Sequence, residues 1–113
     1  MPEPQRGEVW SADLNPTRGR EQAGQRPVLI FSVDEFNRGP AELVVVLPIT
    51  SMIRPIPLHV IVHRPEGGLK VESRILTDAV RSISKERLIE RWGIVSAETM
   101  QVVDDRVRIL LGL

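Results

Sequence analysis

The chain has 113 residues, 42% of them hydrophobic, enough for one globular domain (residues 1–113) with a core of its own. It has no cysteine, which excludes disulfides and thiolate metal centres, and no apolar run nears the roughly 20 residues of a membrane helix. Fifteen basic and fifteen acidic side chains cancel, so any grip on nucleic acid must be local rather than spread over the surface.

The first residues, Met1-Pro2-Glu3-Pro4-Gln5, are polar and proline-rich and carry no signal peptide, which fits a reducing cytoplasm. Glu8 to Leu14 alternates, with Trp10, Ala12 and Leu14 on one side and Val9, Ser11 and Asp13 on the other, and predicts a strand. Asn15-Pro16 and two glycines predict a long loop up to Arg26, and Val28 to Val33 a buried strand opened by Pro27. Asp34 to Asn37 reads as one helical turn capped by Asp34, ended by Arg38-Gly39-Pro40. Strands follow at Leu43 to Ile49, Leu58 to His63 and Glu72 to Val80, separated by Arg54-Pro55-Ile56-Pro57 and the turn Pro65-Glu66-Gly67-Gly68. Ser84 can cap a short helix through Glu90, and Arg91 to Val95 reads as a last short strand. Ser96 can cap a terminal helix from Ala97 to Leu111, whose stripe Met100, Val103, Val107 and Leu110 packs on the core. Five or six short strands predict a mainly β fold, a small barrel covered on one side by the terminal helix.

The loop from Pro16 to Pro27 sets Arg18, Arg20 and Arg26 against Glu21 alone, and is the obvious place for a local nucleic-acid contact. Arg26 stands at the mouth of a buried strand, where a guanidinium can fork onto phosphate oxygens or simply solvate the strand end. Thr50 and Ser51 end a strand, where their hydroxyls can bond a phosphate or cap a turn. His59 and His63 stand about 14 Å apart on a strand at about 3.4 Å per residue, so they cannot share a metal ion and read as a solvated strand face. Trp10 and Trp92 read as core or interface packing.

Several words stand in order: Arg6-Gly7-Glu8-Val9-Trp10, Asp13-Leu14-Asn15-Pro16, Gly19-Arg20-Glu21-Gln22, Gly24-Gln25-Arg26-Pro27-Val28, Pro48-Ile49-Thr50-Ser51 and Arg81-Ser82-Ile83. In these the chain resembles the MazF/PemK toxins, ribosome-independent endoribonucleases of bacterial type II toxin–antitoxin modules. The resemblance is dense before Ser51 and thin after it. It implies an SH3-like barrel, a homodimer, and sequence-specific, metal-independent cleavage of single-stranded RNA with no cofactor, leaving 2′,3′-cyclic phosphate and 5′-hydroxyl ends. It also implies neutralisation by a cognate antitoxin, whose acidic tail would lie over the arginine-rich loop.

By the same resemblance Arg26 and Thr50 are the catalytic pair, with Glu21 the nearest candidate base and Gln22 and Ser51 contacting RNA; Arg18 and Arg20 join these RNA contacts on the charge of the loop. Many members have histidine where this chain has Arg20, which cannot act as a base near neutral pH. Relatives often have glutamate and glutamine where Asp78 and Ala79 stand, so Asp78 and Arg81 read as structural, paired with each other or with a partner subunit. The alternative is a gyrase-binding toxin of the CcdB type, which shares the fold and cuts nothing. Those proteins resemble one another in a tryptophan near the C-terminus, whereas this chain ends Leu110-Leu111-Gly112-Leu113. A non-catalytic SH3-like binding module is a third reading.

Overall fold

A computed structural model describes residues 3–15, 24–52 and 55–113. Strands β1 (Glu8–Asp13), β2 (Gln25–Ile30) and β3 (Leu43–Thr50) form an antiparallel centre. Helix α1 (Asp34–Asn37) sits between β2 and β3. The rest of the sheet is β4 (Val60–Val62), β5 (Ser73–Ile75), β6 (Arg81–Ser84) and β7 (Leu88–Ile94), and α2 (Ala97–Leu111) closes the order. The path β4-β5-β3-β2-β1-β7 is open at its ends, and β6 pairs with β3 beside β5. The mainly β fold with a terminal helix is thus as expected, with the sheet curled but not closed.

Period-two alternation builds two cores from the same strands. Val9, Leu29 and Leu47 join Val103 and Val107 of α2 in one cluster, while their neighbours Trp10, Val28 and Val46 join Ile83 and Leu88 in the other. Both faces of the central strands are therefore buried.

Several boundaries differ from expectation for identifiable reasons. β2 starts at Gln25 because its ladder with β1 runs back to Asp13. Asp34 does not cap α1; the N-cap is Val33, and the Asp34 carboxylate accepts from the Arg6 backbone N–H at 2.7 Å. The strand expected from Glu72 to Val80 is broken by a 3-10 turn at Thr77–Ala79, held by Thr77 Oγ1 donating to Leu58 O at 2.6 Å. Ser84 does cap, but its helical turn is only Lys85–Arg87, since Leu88 already pairs with Ala12 in β7. Ser96 caps α2 as expected, accepting from Thr99 N. Leu110 of the expected stripe is 38% exposed, while Val103 and Val107 are buried.

His59 and Asp78 correct two further expectations. His59 is buried rather than solvated, and its Nε2 meets Asp78 Oδ1 at 2.7 Å. His63 is exposed and pairs with Glu72. Asp78 therefore pairs with His59 and not with Arg81, whose Nη1 is buried without a hydrogen-bond partner among the described residues.

Two carboxylates fasten the ends of this structure. Glu8 accepts from Trp10 Nε1 (3.0 Å), Gln5 N (2.8 Å) and Arg91 Nε (2.7 Å), which ties β1 to β7. Glu66 accepts from Ser96 N (2.9 Å) and Thr99 Oγ1 (2.5 Å), which ties the 66–68 turn to the start of α2. Burial by itself would raise both pKa values, but the donors outweigh it and hold both carboxyls below their usual 4.5. A depressed folded pKa stabilises fully above the unfolded value and is lost as pH falls through the folded one. The urea midpoint is therefore expected to hold above about pH 5 and fall steadily below 4.5. Glu8→Gln should lower the neutral midpoint and flatten that acid slope; an unchanged slope would show that Glu8 does not carry it.

Candidate active site

Two strand ends meet here. The β2–β3 register pairs Val28 with Pro48 and Leu29 with Leu47, and continuing it sets Arg26 across from Thr50. Arg26, Thr50 and Ser51 line one cleft of about 180 Å³, which Leu69, Lys70 and Trp92 also line. The arginine is exposed at the head of β2, where ladder pairing of Ala12 with Arg26 fixes its backbone.

Thr50 is buried, and its backbone pairs with Arg74 of β5. Its Oγ1 accepts from Met52 N at 3.1 Å. The hydroxyl therefore does cap the turn, and in doing so points its own proton elsewhere: an oxygen that accepts still has one O–H to donate. The two readings of Thr50 are compatible. Ser51, next along, is exposed at the rim.

Arg18, Arg20, Glu21 and Gln22 lie outside the described residues. The neck of their loop is described, and it is pinched. Leu14 N donates to Gly24 O at 3.0 Å, Gly24 N donates to Asn15 Oδ1 at 3.0 Å, and Asn15 N donates to Asp13 Oδ1 at 3.0 Å. Arg87 Nη1 donates to the carbonyls of Asp13 and Asn15. Sequence reasoning found Asn15 as a turn residue but missed Arg87, whose partner carbonyls are more than 70 positions away.

The sequence word Arg6-Gly7-Glu8-Val9-Trp10 is structural. Arg6 spans from the Phe31 carbonyl to Asp104 of α2 (2.5 Å), and Gly7 exchanges backbone bonds with Ile30 and Val95. Trp10 is buried, as expected of a core residue. Trp92 packs against the cluster beneath α2 but is only half-buried, and it also lines the cleft.

A larger cleft, about 710 Å³, lies between residues 55–61, Arg74 and α2. It contains none of Arg26, Thr50 or Ser51. Volume is a poor guide here, because an extended strand lies along a shallow surface. The larger cleft carries Arg74 and Arg106 beside Glu98, whereas the small one sets Arg26 beside the hydroxyls of Thr50 and Ser51.

Comparison with known proteins gives the family. Residues 5–111 match the family model for the PemK-like, MazF-like toxins of type II toxin–antitoxin systems. Endoribonuclease MazF9 of Mycobacterium tuberculosis (strain ATCC 25618 / H37Rv) is 35% identical, with 96% of each chain covered. The crystal structure of MazF from Deinococcus radiodurans superposes with a TM-score of 0.87 at 28% identity over the whole of both chains. An endoribonuclease in complex with its cognate antitoxin, from a mycobacterial species, gives 0.79 at 26% identity, covering 100% of this chain and 97% of the other. The chain belongs to the PemK-like, MazF-like toxin family of type II toxin–antitoxin systems.

Proposed function

We infer that the protein is a toxin that cuts single-stranded RNA at specific sequences without a metal ion, and that Arg26 and Thr50 carry the reaction. The observation behind this is their convergence on one cleft at two strand ends. RNA brings its own nucleophile. The ribose 2′-oxygen attacks the adjacent phosphorus, the bond to the 5′-oxygen breaks, and a 2′,3′-cyclic phosphate and a 5′-hydroxyl result. The protein must stabilise the negative charge that builds on the phosphoryl oxygens, which is usually the largest contribution. Arg26 supplies a permanent positive charge and paired N–H donors, and Thr50 supplies an O–H.

Two protons must also move. The 2′-hydroxyl loses one, and the leaving 5′-oxygen gains one. Glu21 is the candidate for the first. Arg26 is a poor donor for the second, since a guanidinium does not give up its proton in proteins, so water or a phosphoryl oxygen carries that proton. Arg18, Arg20, Gln22 and Ser51 hold the strand on either side.

The reading includes a cytoplasmic setting, a homodimer and a cognate antitoxin with an acidic tail over the loop before Pro27. No helix among the described residues is long and apolar enough to cross a membrane. Ile56, Ile61 and Val102 stand exposed around the larger cleft and offer apolar area to a second copy. Sedimentation at micromolar concentration is expected to give twice the 12.7 kDa chain mass; a monomer would rule the dimer out. The function itself is tested by incubating the protein with a long single-stranded RNA in EDTA, with and without its antitoxin. Fragments with cyclic-phosphate ends, abolished by the antitoxin, are expected. Intact RNA together with gyrase binding would favour the CcdB-type alternative.

A further inference from the structure

We propose that Trp92 and Lys70 form a nucleotide subsite beside the reaction centre, with the indole taking an unpaired base and the ammonium an RNA phosphate. The proposal rests on the reading of Arg26 and Thr50 as the cleavage site, whose cleft these two residues share.

The chain has two tryptophans, and they live differently. Trp10 is 2% exposed, and its N–H is satisfied by Glu8. Trp92 rests partly on the core and turns the rest of its surface to the cleft. Lys70 is exposed, with its Nζ 5.9 Å from the centre of the Trp92 ring. A surface contact of that length is weak enough for a ligand to displace.

Both residues are held by the backbone beneath them. Gly67 and Gly68 have φ of 68° and 74°, and they lie directly on β7 at Trp92 and Gly93. A Cβ on Gly68 would stand 2.3 Å from the Trp92 carbonyl oxygen, and one on Gly93 would stand 2.7 Å from the Gly67 carbonyl carbon. Only glycines on both sides allow this approach. Leu69 then drops into the core, and Lys70 emerges at a fixed point beside the indole.

Single-stranded RNA is bound by this combination: aromatic faces for unstacked bases and cations for the backbone. The balanced net charge of the chain makes a few well-placed residues matter more, because no net positive charge supplies a general attraction in their place. Lys70 and Arg26 line one small cleft and give a strand two phosphate contacts, and Trp92 in the same lining offers a base its stacking surface.

The test uses the intact protein. The cut sequence is first mapped on a long RNA, and a 2′-O-methyl oligonucleotide of that sequence then serves as the non-cleavable probe. Binding should quench tryptophan emission equally in the wild type and in Trp10→Phe, because Trp92 is the reporter. Trp92→Leu should weaken probe binding and raise KM about tenfold while kcat stays within about twofold, and Trp92→Phe should restore most of the loss. Lys70→Ala should weaken binding severalfold and reduce the slope of log affinity against log salt by about 0.7, the value for one single-strand phosphate. If Trp92→Leu fails to fold, the quench and the Lys70→Ala salt slope decide. Cleavage that requires Arg26 but is indifferent to Trp92 and Lys70, with no quench, overturns this proposal alone. No cleavage by the wild type overturns the nuclease reading and this proposal with it.

Discussion

Arg26→Ala is expected to lower RNA cleavage by at least about 10² to 10³, the usual cost of removing one preorganised charge-stabilising donor. The melting temperature should stay within a few degrees of wild type. Arg26 is exposed at the head of β2 and belongs to neither apolar cluster, so truncating it opens no cavity. Arg26→Lys separates two contributions. It keeps a positive charge but loses the planar fork that grips two phosphoryl oxygens at once, and it should recover only part of the rate. Single-turnover cleavage of a labelled RNA, with circular dichroism on the same samples, measures both. Full activity in Arg26→Ala would sink the assignment, and loss of fold would move Arg26 from chemistry to structure.

What the sequence reveals follows the range of the interactions involved. The first strand and the terminal helix are legible because their signals are local. Alternation from Val9 to Asp13 sets a strand, and Ser96 with the Met100-Val103-Val107 stripe sets a helix. The region from Glu72 to Glu90 is not legible, because its breaks are imposed from a distance. β3 gives part of one edge to β5 at Ile49 and Thr50, and another part to β6 from Leu43 to Val46. The chain must bend between the two, and Leu76 N donating to Pro48 O (2.9 Å) fixes the bend. Nothing within Leu76 to Ala79 announces this.

The site divides in the same way. Arg26 and Thr50 stand in sequence words that resemble a known family, so the order of residues alone is enough to single them out. Lys70 sits in no such word. It reaches the cleft only because the Gly67-Gly68 turn settles on Gly93, a contact between segments more than 20 residues apart. Trp92 reads as packing, and half of it is. The pair of glycines before Lys70 is the one available signal, and by itself it reads simply as a turn.

RNA carrying a single 2′-deoxy nucleotide on the 5′ side of the cut phosphate is expected to lose nearly all cleavage at that position. The proposed chemistry uses the 2′-oxygen as nucleophile, already placed next to phosphorus by the sugar. An oriented intramolecular group of that kind corresponds to an effective concentration of about 10⁵ M or more. Deleting it leaves water, so residual cleavage should be at least about a thousandfold slower. Deoxy substitution two or more nucleotides away should change the rate only modestly, because Arg26 and Thr50 address the phosphate and not distant sugars. The substituted strand should still bind, since every phosphate remains, and should inhibit cleavage of ordinary RNA competitively. One outcome would refute the mechanism. Cleavage of the substituted strand at near-normal rate would make water the nucleophile and, with the 5′-oxygen still leaving, put a 3′-phosphate on the product in place of the cyclic one. Because the substituted strand is measured as a competitive inhibitor in the same assay, its loss of cleavage is read at saturation and reports on the chemical step rather than on recognition of the hydroxyl.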